Sequence, residues 1–213
     1  MNRLLGFGAS LGIVIQLGAC GASSAGFVAN VAHRDAKVNV AVRRIKSPLP
    51  LRIVVGASTK DTFTIRPVES MTHNFSDFRG SVGGALKQAF APNFSSVDLA
   101  ETETGRGVEL IVTRAEMQPT TTIKYGIVLM WDGKELEDVT GESKGKIVAM
   151  RGSSSELHEK YDAMLEELVD YTLASFAEQS YDALMRSEKL EKAGVYERLQ
   201  QPESAAVSPP RVE

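Results

Sequence analysis

Apolar positions along this chain change their spacing several times, and each change marks a new element. Val38-Asn39-Val40-Ala41-Val42 has a period of two, which predicts a half-buried strand. Ser47-Pro48-Leu49-Pro50 interrupts it, because proline has no N–H to give a ladder. Leu51, Ile53 and Val55 resume the alternation, and Gly56 to Asp61 turns the chain. Phe63 and Ile65 open a third strand, which Pro67 marks as an edge or an end. The spacing then becomes helical. Phe75, Phe78, Val82, Leu86 and Phe90 fall on one stripe with Ala85 and Ala89 between them. Asn74 and Asp77 make a plausible cap, and Pro92-Asn93 stops the helix. Gly80, Gly83 and Gly84 each cost roughly 0.8–1 kcal/mol in a helix interior. Close approach to a sheet is the reason they suggest.

A brief strand near Ser96 to Leu99 and a Gly105-Arg106-Gly107 turn lead into the strongest β pattern. Val108, Leu110 and Val112 alternate with Glu109, Ile111 and Thr113. After Pro119, Ile123, Tyr125, Ile127, Leu129 and Trp131 share one strand face, while Val128 and Met130 fall on the other. Asp132-Gly133 is a preferred pair for a tight type I′ hairpin, and a return strand runs from Lys134 to about Val148. Gly141 and Gly145 suggest bulges or added twist in it. Ser153 and Glu156 form a capping box for the last and longest element. Its stripe is Leu157, Tyr161, Met164, Leu165, Leu168, Thr172 and Phe176, with Glu159, Asp162, Glu166 and Asp170 opposite. Tyr181, Leu184 and Met185 extend that helix or begin another ending near Gly194.

This order of elements predicts an α+β fold: a twisted, mainly antiparallel sheet with two helices packed on one face. The folded domain is placed at 38–194 and a flexible tail at 195–213, since the end is rich in Pro, Ser and Ala.

The amino terminus is of another kind. Arg3 precedes an apolar run from Leu4 to Leu17, about 14 residues, short of the roughly 18–20 that span a bilayer. Small residues Gly18 and Ala19 lead to Cys20, the sole cysteine of the 213 residues. Leu17-Gly18-Ala19-Cys20 resembles the lipobox of bacterial lipoproteins. That resemblance implies a signal peptide at 1–19, cleavage before Cys20, and acylation of its thiol and new amine with palmitate-like chains. Residues 20–37 then read as a short lipidated tether. With the thiol acylated, no disulfide remains to be formed. Gly21 in place of an aspartate points, by analogy with enteric lipoproteins, to the outer membrane and a periplasm-facing domain; the inner membrane and the cell surface stay open.

Composition adds exclusions. The chain is 43% hydrophobic and 24% charged, in the globular range. Its net charge of −3 offers no field to attract nucleic acid. His33, His73 and His158 are scattered, with no His-x3-His or Glu-x-x-His pairing. His158 and Asp162 stand one turn apart, equally well explained as a solvated helix face. Ser153 to Ser155 lack a nucleophile elbow. Glu109 and Glu116, seven apart in a strand, are expected on opposite faces, unable to work as an acid–base pair. The glycines at 80, 83 and 84 follow no strand in a phosphate-loop pattern. The residues therefore predict no enzyme, cofactor or metal.

The order of elements over about Leu51 to Gln179, together with the lipobox, resembles small envelope lipoproteins of the YajG kind and the LptE-type and PqiC-type auxiliary lipoproteins. The resemblance implies a non-catalytic scaffold, plug or adaptor for an envelope protein complex. The partner surface is expected at the hairpin tip and at Val128, Met130 and Trp131, since a strand apolar on both faces is either core or a binding patch. Carriage of lipid or another apolar ligand between membranes is the alternative.

Overall fold

A computed structural model describes residues 27–31, 36–40, 45–68, 71–145 and 154–198. The leader, Cys20, His33, Ala41, Val42, the end of the return strand past 145, Ser153 and the residues beyond 198 lie outside the described residues. In chain order the elements are β1 (Phe27–Val31), β2 (Ile45–Lys46), β3 (Leu51–Val55), β4 (Phe63–Val68), β5 (Met71–Phe75), α1 (Phe78–Phe90) and β6 (Val97–Ala100). They continue with β7 (Val108–Gln118), β8 (Thr122–Trp131), β9 (Lys134–Lys144), α2 (Ser154–Met185), α3 (Glu188–Lys192) and β10 (Glu197–Arg198).

Five strands form the main sheet in the order β6-β3-β7-β8-β9. β3 runs parallel to β6 and β7, whereas the long β7–β8 and β8–β9 ladders are antiparallel. The expected meander is therefore present. It turns at Asp132 and Gly133, both at positive φ (46° and 76°), as the primed hairpin requires. A three-stranded sheet, β1-β5-β4, and a two-stranded pair, β10-β2, complete the topology.

Both long helices pack on one face of the main sheet, as the pattern predicts. Leu51, Ile53, Leu110, Val112, Ile123, Ile127 and Leu129 point to that side, and all are at 0% exposure. Opposite them come Val82, Leu86 and Phe90 of α1, and Leu165, Leu168, Leu173 and Phe176 of α2, in one continuous core. Each such side chain contributes about 1.5–3 kcal/mol on burial. Where polar groups enter the core they are bonded. Asn93 donates from Nδ2 to the Ile45 carbonyl (2.7 Å) and accepts from the Tyr181 hydroxyl (2.7 Å), tying β2 and the end of α1 to α2.

α2 runs unbroken for 32 residues, about 48 Å, so Tyr181, Leu184 and Met185 extend the helix rather than start another. All three are buried because the stripe keeps its phase past Gln179. α3 then stops at Gly194, whose φ of 78° is the left-handed conformation that suits glycine.

Several expectations are corrected. Residues 36–40 form no strand. Ala36, Val38 and Val40 do face the core and Lys37 and Asn39 face out. The amides of Val38 and Asn39, however, reach the side-chain oxygens of Gln88 on α1 (3.3 Å) and Glu178 on α2 (3.4 Å). Alternation reports a two-sided extended segment; it does not report what receives the backbone. Phe75 ends β5 rather than joining the helix, which starts at Phe78; stacking of its ring on Phe63 (4.7 Å) holds it in the strand pair. Asp77 does precede the helix, but its side chain caps nothing; the amides of Phe78 and Arg79 are met by the Asp61 carbonyl (2.9 Å) and carboxylate (3.3 Å). β1 lies inside the stretch expected to be tether, parallel to β5. Val195 and Tyr196, expected in the tail, are buried, and the Tyr196 hydroxyl donates to the Ser187 carbonyl (2.8 Å). Of the three helical glycines, Gly83 fits the close-approach reading, since a Cβ there would stand 3.2 Å from Leu99; nothing lies within 4 Å of one at Gly84.

Candidate functional site

The other face of the main sheet carries the alternate set of residues of each strand, and the 102–105 loop folds onto part of it through bonds to Arg52 and Glu109. Register places Ala100, Val54, Ile111 and Val128 side by side across β6, β3, β7 and β8, ending at Asp138 on β9. The next row reads Asp98, Arg52, Glu109, Met130 and Glu135. Val54 (3% exposed) and Ile111 (6%) are buried yet stand apart from the main core. Val128 and Met130 are half-buried. An apolar row thus crosses four strands on the outward side.

Charge borders it in the Arg52-Glu109 row on one side and, beyond Arg114, Gly126 and Thr140, in the Glu116-Lys124-Glu142 row on the other. A bulge at Thr113 separates Val112 from Arg114 in the β7 register and shifts the alternation by one. Glu109 and Glu116 therefore lie on the same face, not on opposite ones. They still do not pair. Their β8 partners are Met130 and Lys124, six residues apart, about 20 Å along a strand. Lys124 sits between Glu116 and Glu142 in the ladder, and Arg114 pairs with Glu116 at 2.5 Å.

Glu109 has structural partners. Its carboxylate is 1% exposed and accepts from the Thr104 amide (2.8 Å), the Thr104 hydroxyl (2.7 Å) and the Gly105 amide (2.9 Å). Arg52 Nε stands 3.5 Å away. Burial pushes this carboxyl up, but the Thr104 and Gly105 bonds and the Arg52 charge outweigh it and hold the group below its ordinary range. The same loop ties down the hairpin tip, where the Gly107 amide donates to Asp132 Oδ1 (2.8 Å) and the Asp132 amide to the Gly107 carbonyl (3.0 Å). The tip is a braced corner.

The three residues expected to meet a partner are thus divided. Val128 and Met130 share the outward face. Trp131 lies on the helix side, half-buried against the core and 3.8 Å from where a Cβ on Gly194 would stand. The signal for the rest of the row was present in the sequence. Val54 and Ile111 are apolar at positions out of phase with the core set of their own strands, as Val128 is in β8.

Two clefts open elsewhere. One, of about 580 Å³, lies between α1 and the β3–β6 edge, with Ile53, Val55 and Leu99 at its base and Asp61, Asp77, Arg79 and Glu101 around it. The other, of about 460 Å³, is lined by Lys60, Phe63, Arg114, Glu116, Met117 and Pro119. Among the described residues no three His, Cys, Asp or Glu side chains gather as metal ligands. His73 is buried in β5 and His158 is on α2. No described helix is long and apolar enough to cross a membrane.

No family model matches the chain, and no curated protein matches it. A solved structure does. Protein XCC0632 from Xanthomonas campestris, of family DUF330, is similar at a TM-score of 0.49 and 11% identity, over 78% of this chain and 98% of that one. The likeness carries no function to this chain.

Proposed function

We propose that this chain is a lipid-anchored lipoprotein of the bacterial envelope, held through acyl chains on Cys20 at the outer membrane, whose periplasm-facing domain acts as a non-catalytic adaptor for an envelope protein complex. The address rests on the leader and the sole cysteine of the sequence. The observation that carries the adaptor role is the half-buried pair Val128 and Met130, at the accessible end of the apolar row Ala100-Val54-Ile111-Val128 on the sheet face away from the helices. An apolar centre rimmed by charge is how interaction surfaces are arranged. Photo-cross-linking decides it. A cross-linker at Met130 is expected to give one discrete adduct in intact envelopes, and one at Glu178 on α2 none; equal or absent adducts at both sites speak against the reading.

Carriage of an apolar ligand is the second reading, favoured by the cleft beside Gly80 and Gly83 with Ile53, Val55 and Leu99 beneath it. Native mass spectrometry of the purified domain tests it, a bare mass counting against carriage.

A further inference from the structure

β9 forms one edge of the main sheet, and β8 is its only strand partner among the described residues. It is 11 residues long, about 37 Å, whereas the opposite edge, β6, has only four. Soluble proteins shorten, kink or cover such an edge, because its free N–H and C=O groups invite another strand. β9 contains no proline, and its one register shift lies at the hairpin end, between the partners of Leu129 and Met130. From Glu137 to Lys144 the strand keeps regular register with β8. Its inner side is fixed: Lys189 Nζ lies 3.2 Å from the Glu137 carboxylate, to which the Ser187 hydroxyl also donates. The edge is therefore long and held in shape before anything meets it.

Charge restricts what can meet it. Glu135, Asp138 and Glu142 are all exposed on β9, with Glu116 two strands in. The strand carries Glu135, Glu137, Asp138 and Glu142 against Lys134 and Lys144 alone. A second copy would bring one such acidic strand against another, which like charges oppose. An extended segment with lysine or arginine at alternate positions would instead set cations beside these carboxylates while its backbone completes the ladder.

We propose that β9 is a strand-addition site for an extended basic segment of a protein partner. This rests on the adaptor reading and names the kind of contact that adaptor makes. The full chain is titrated with a labelled peptide alternating lysine with valine, and with its glutamate counterpart, while backbone hydrogen exchange is followed. The lysine peptide is expected to bind about tenfold tighter or more, to slow exchange within β9, and to lose this preference at high salt. The variant E135K/D138K/E142K, altered only at exposed positions, is expected to invert the order of the two peptides. Equal binding, no binding, or protection falling outside β9 overturns the proposal. If the Met130 cross-link still forms in that event, the adaptor reading survives without its edge; if that is missing too, both fall.

Discussion

The two faces of the main sheet come from the same strands read one residue out of step, yet they do different work. On the helix side Leu51, Ile53, Leu110, Val112, Ile123, Ile127 and Leu129 are buried in one core with α1 and α2, and the aromatic contact of Tyr125 with Phe176 (ring centroids 4.9 Å) shows how closely the layers meet. The outward side has apolar residues in the middle and charges around them, and what folds onto it is the 102–105 loop, through Arg52 and Glu109, rather than a helix. The contrast teaches that apolar content alone does not mark a core. What marks it is an opposing layer.

The sharpest test of that contrast is to empty each side of a helix. Phe176 is fully buried and is packed edge-on to Tyr125. Phe176→Ala is expected to cost about 3–5 kcal/mol, as large-to-small changes in a packed core do. Tyr171, on the same helix but 49% exposed, is expected to cost under about 0.5 kcal/mol when changed to Ala. Urea unfolding midpoints at constant slope measure both. A costly Tyr171→Ala would mean that the helix has a second covered face.

Glu109 asks how far the outward side is held by polar bonds. Glu109→Gln leaves the Thr104 and Gly105 amides facing an amide group with half the acceptor capacity, and is expected to cost about 1–3 kcal/mol at neutral pH. The sign with pH follows from the group's lowered pKa. Its stabilisation is complete above the ordinary carboxylate value of 4.5 and is lost as pH falls through the lower value of the folded state. The gap between wild type and variant should therefore close in acid, and a gap that widens there would show that the carboxylate is not what holds the 104–107 loop.

Much of this architecture could be read from spacing. The meander, the Asp132-Gly133 turn and the long last helix follow from local patterns whose physics is local: alternation, a positive-φ pair, a stripe that keeps phase. Failures came where the deciding contact was distant in sequence. Asp61 caps α1 from a loop, and no local box predicts that. The bulge at Thr113 inverts the faces of Glu116 and all that follows it, because one inserted residue changes the parity of a strand. Val38 and Val40 show correct alternation, but the amides of Val38 and Asn39 go to side chains of α1 and α2. The candidate surface was half legible: Val128 and Met130 stand out in one strand, but the row appears only when register sets Val54 and Ile111 beside them.

The smallest expected effect tests the faces most directly, because it compares neighbours in one strand. Ile127 (0% exposed) looks into the core and half-buried Val128 looks away from it. Threonine is close to valine in shape and differs mainly in its hydroxyl, so Val128→Thr asks whether that position can hydrate a polar atom. On an open face the hydroxyl reaches water, and the change should cost under about 0.5 kcal/mol. The same residue at Ile127 would bury the hydroxyl among carbon atoms and cost about 2–4 kcal/mol. The pair is read from urea midpoints on the purified protein, then repeated on envelopes by pulse proteolysis. Near-neutral Val128→Thr in both settings would leave the row without an occupant. A cost that appears only in envelopes would mean that another chain covers Val128 there, which is what an adaptor surface requires.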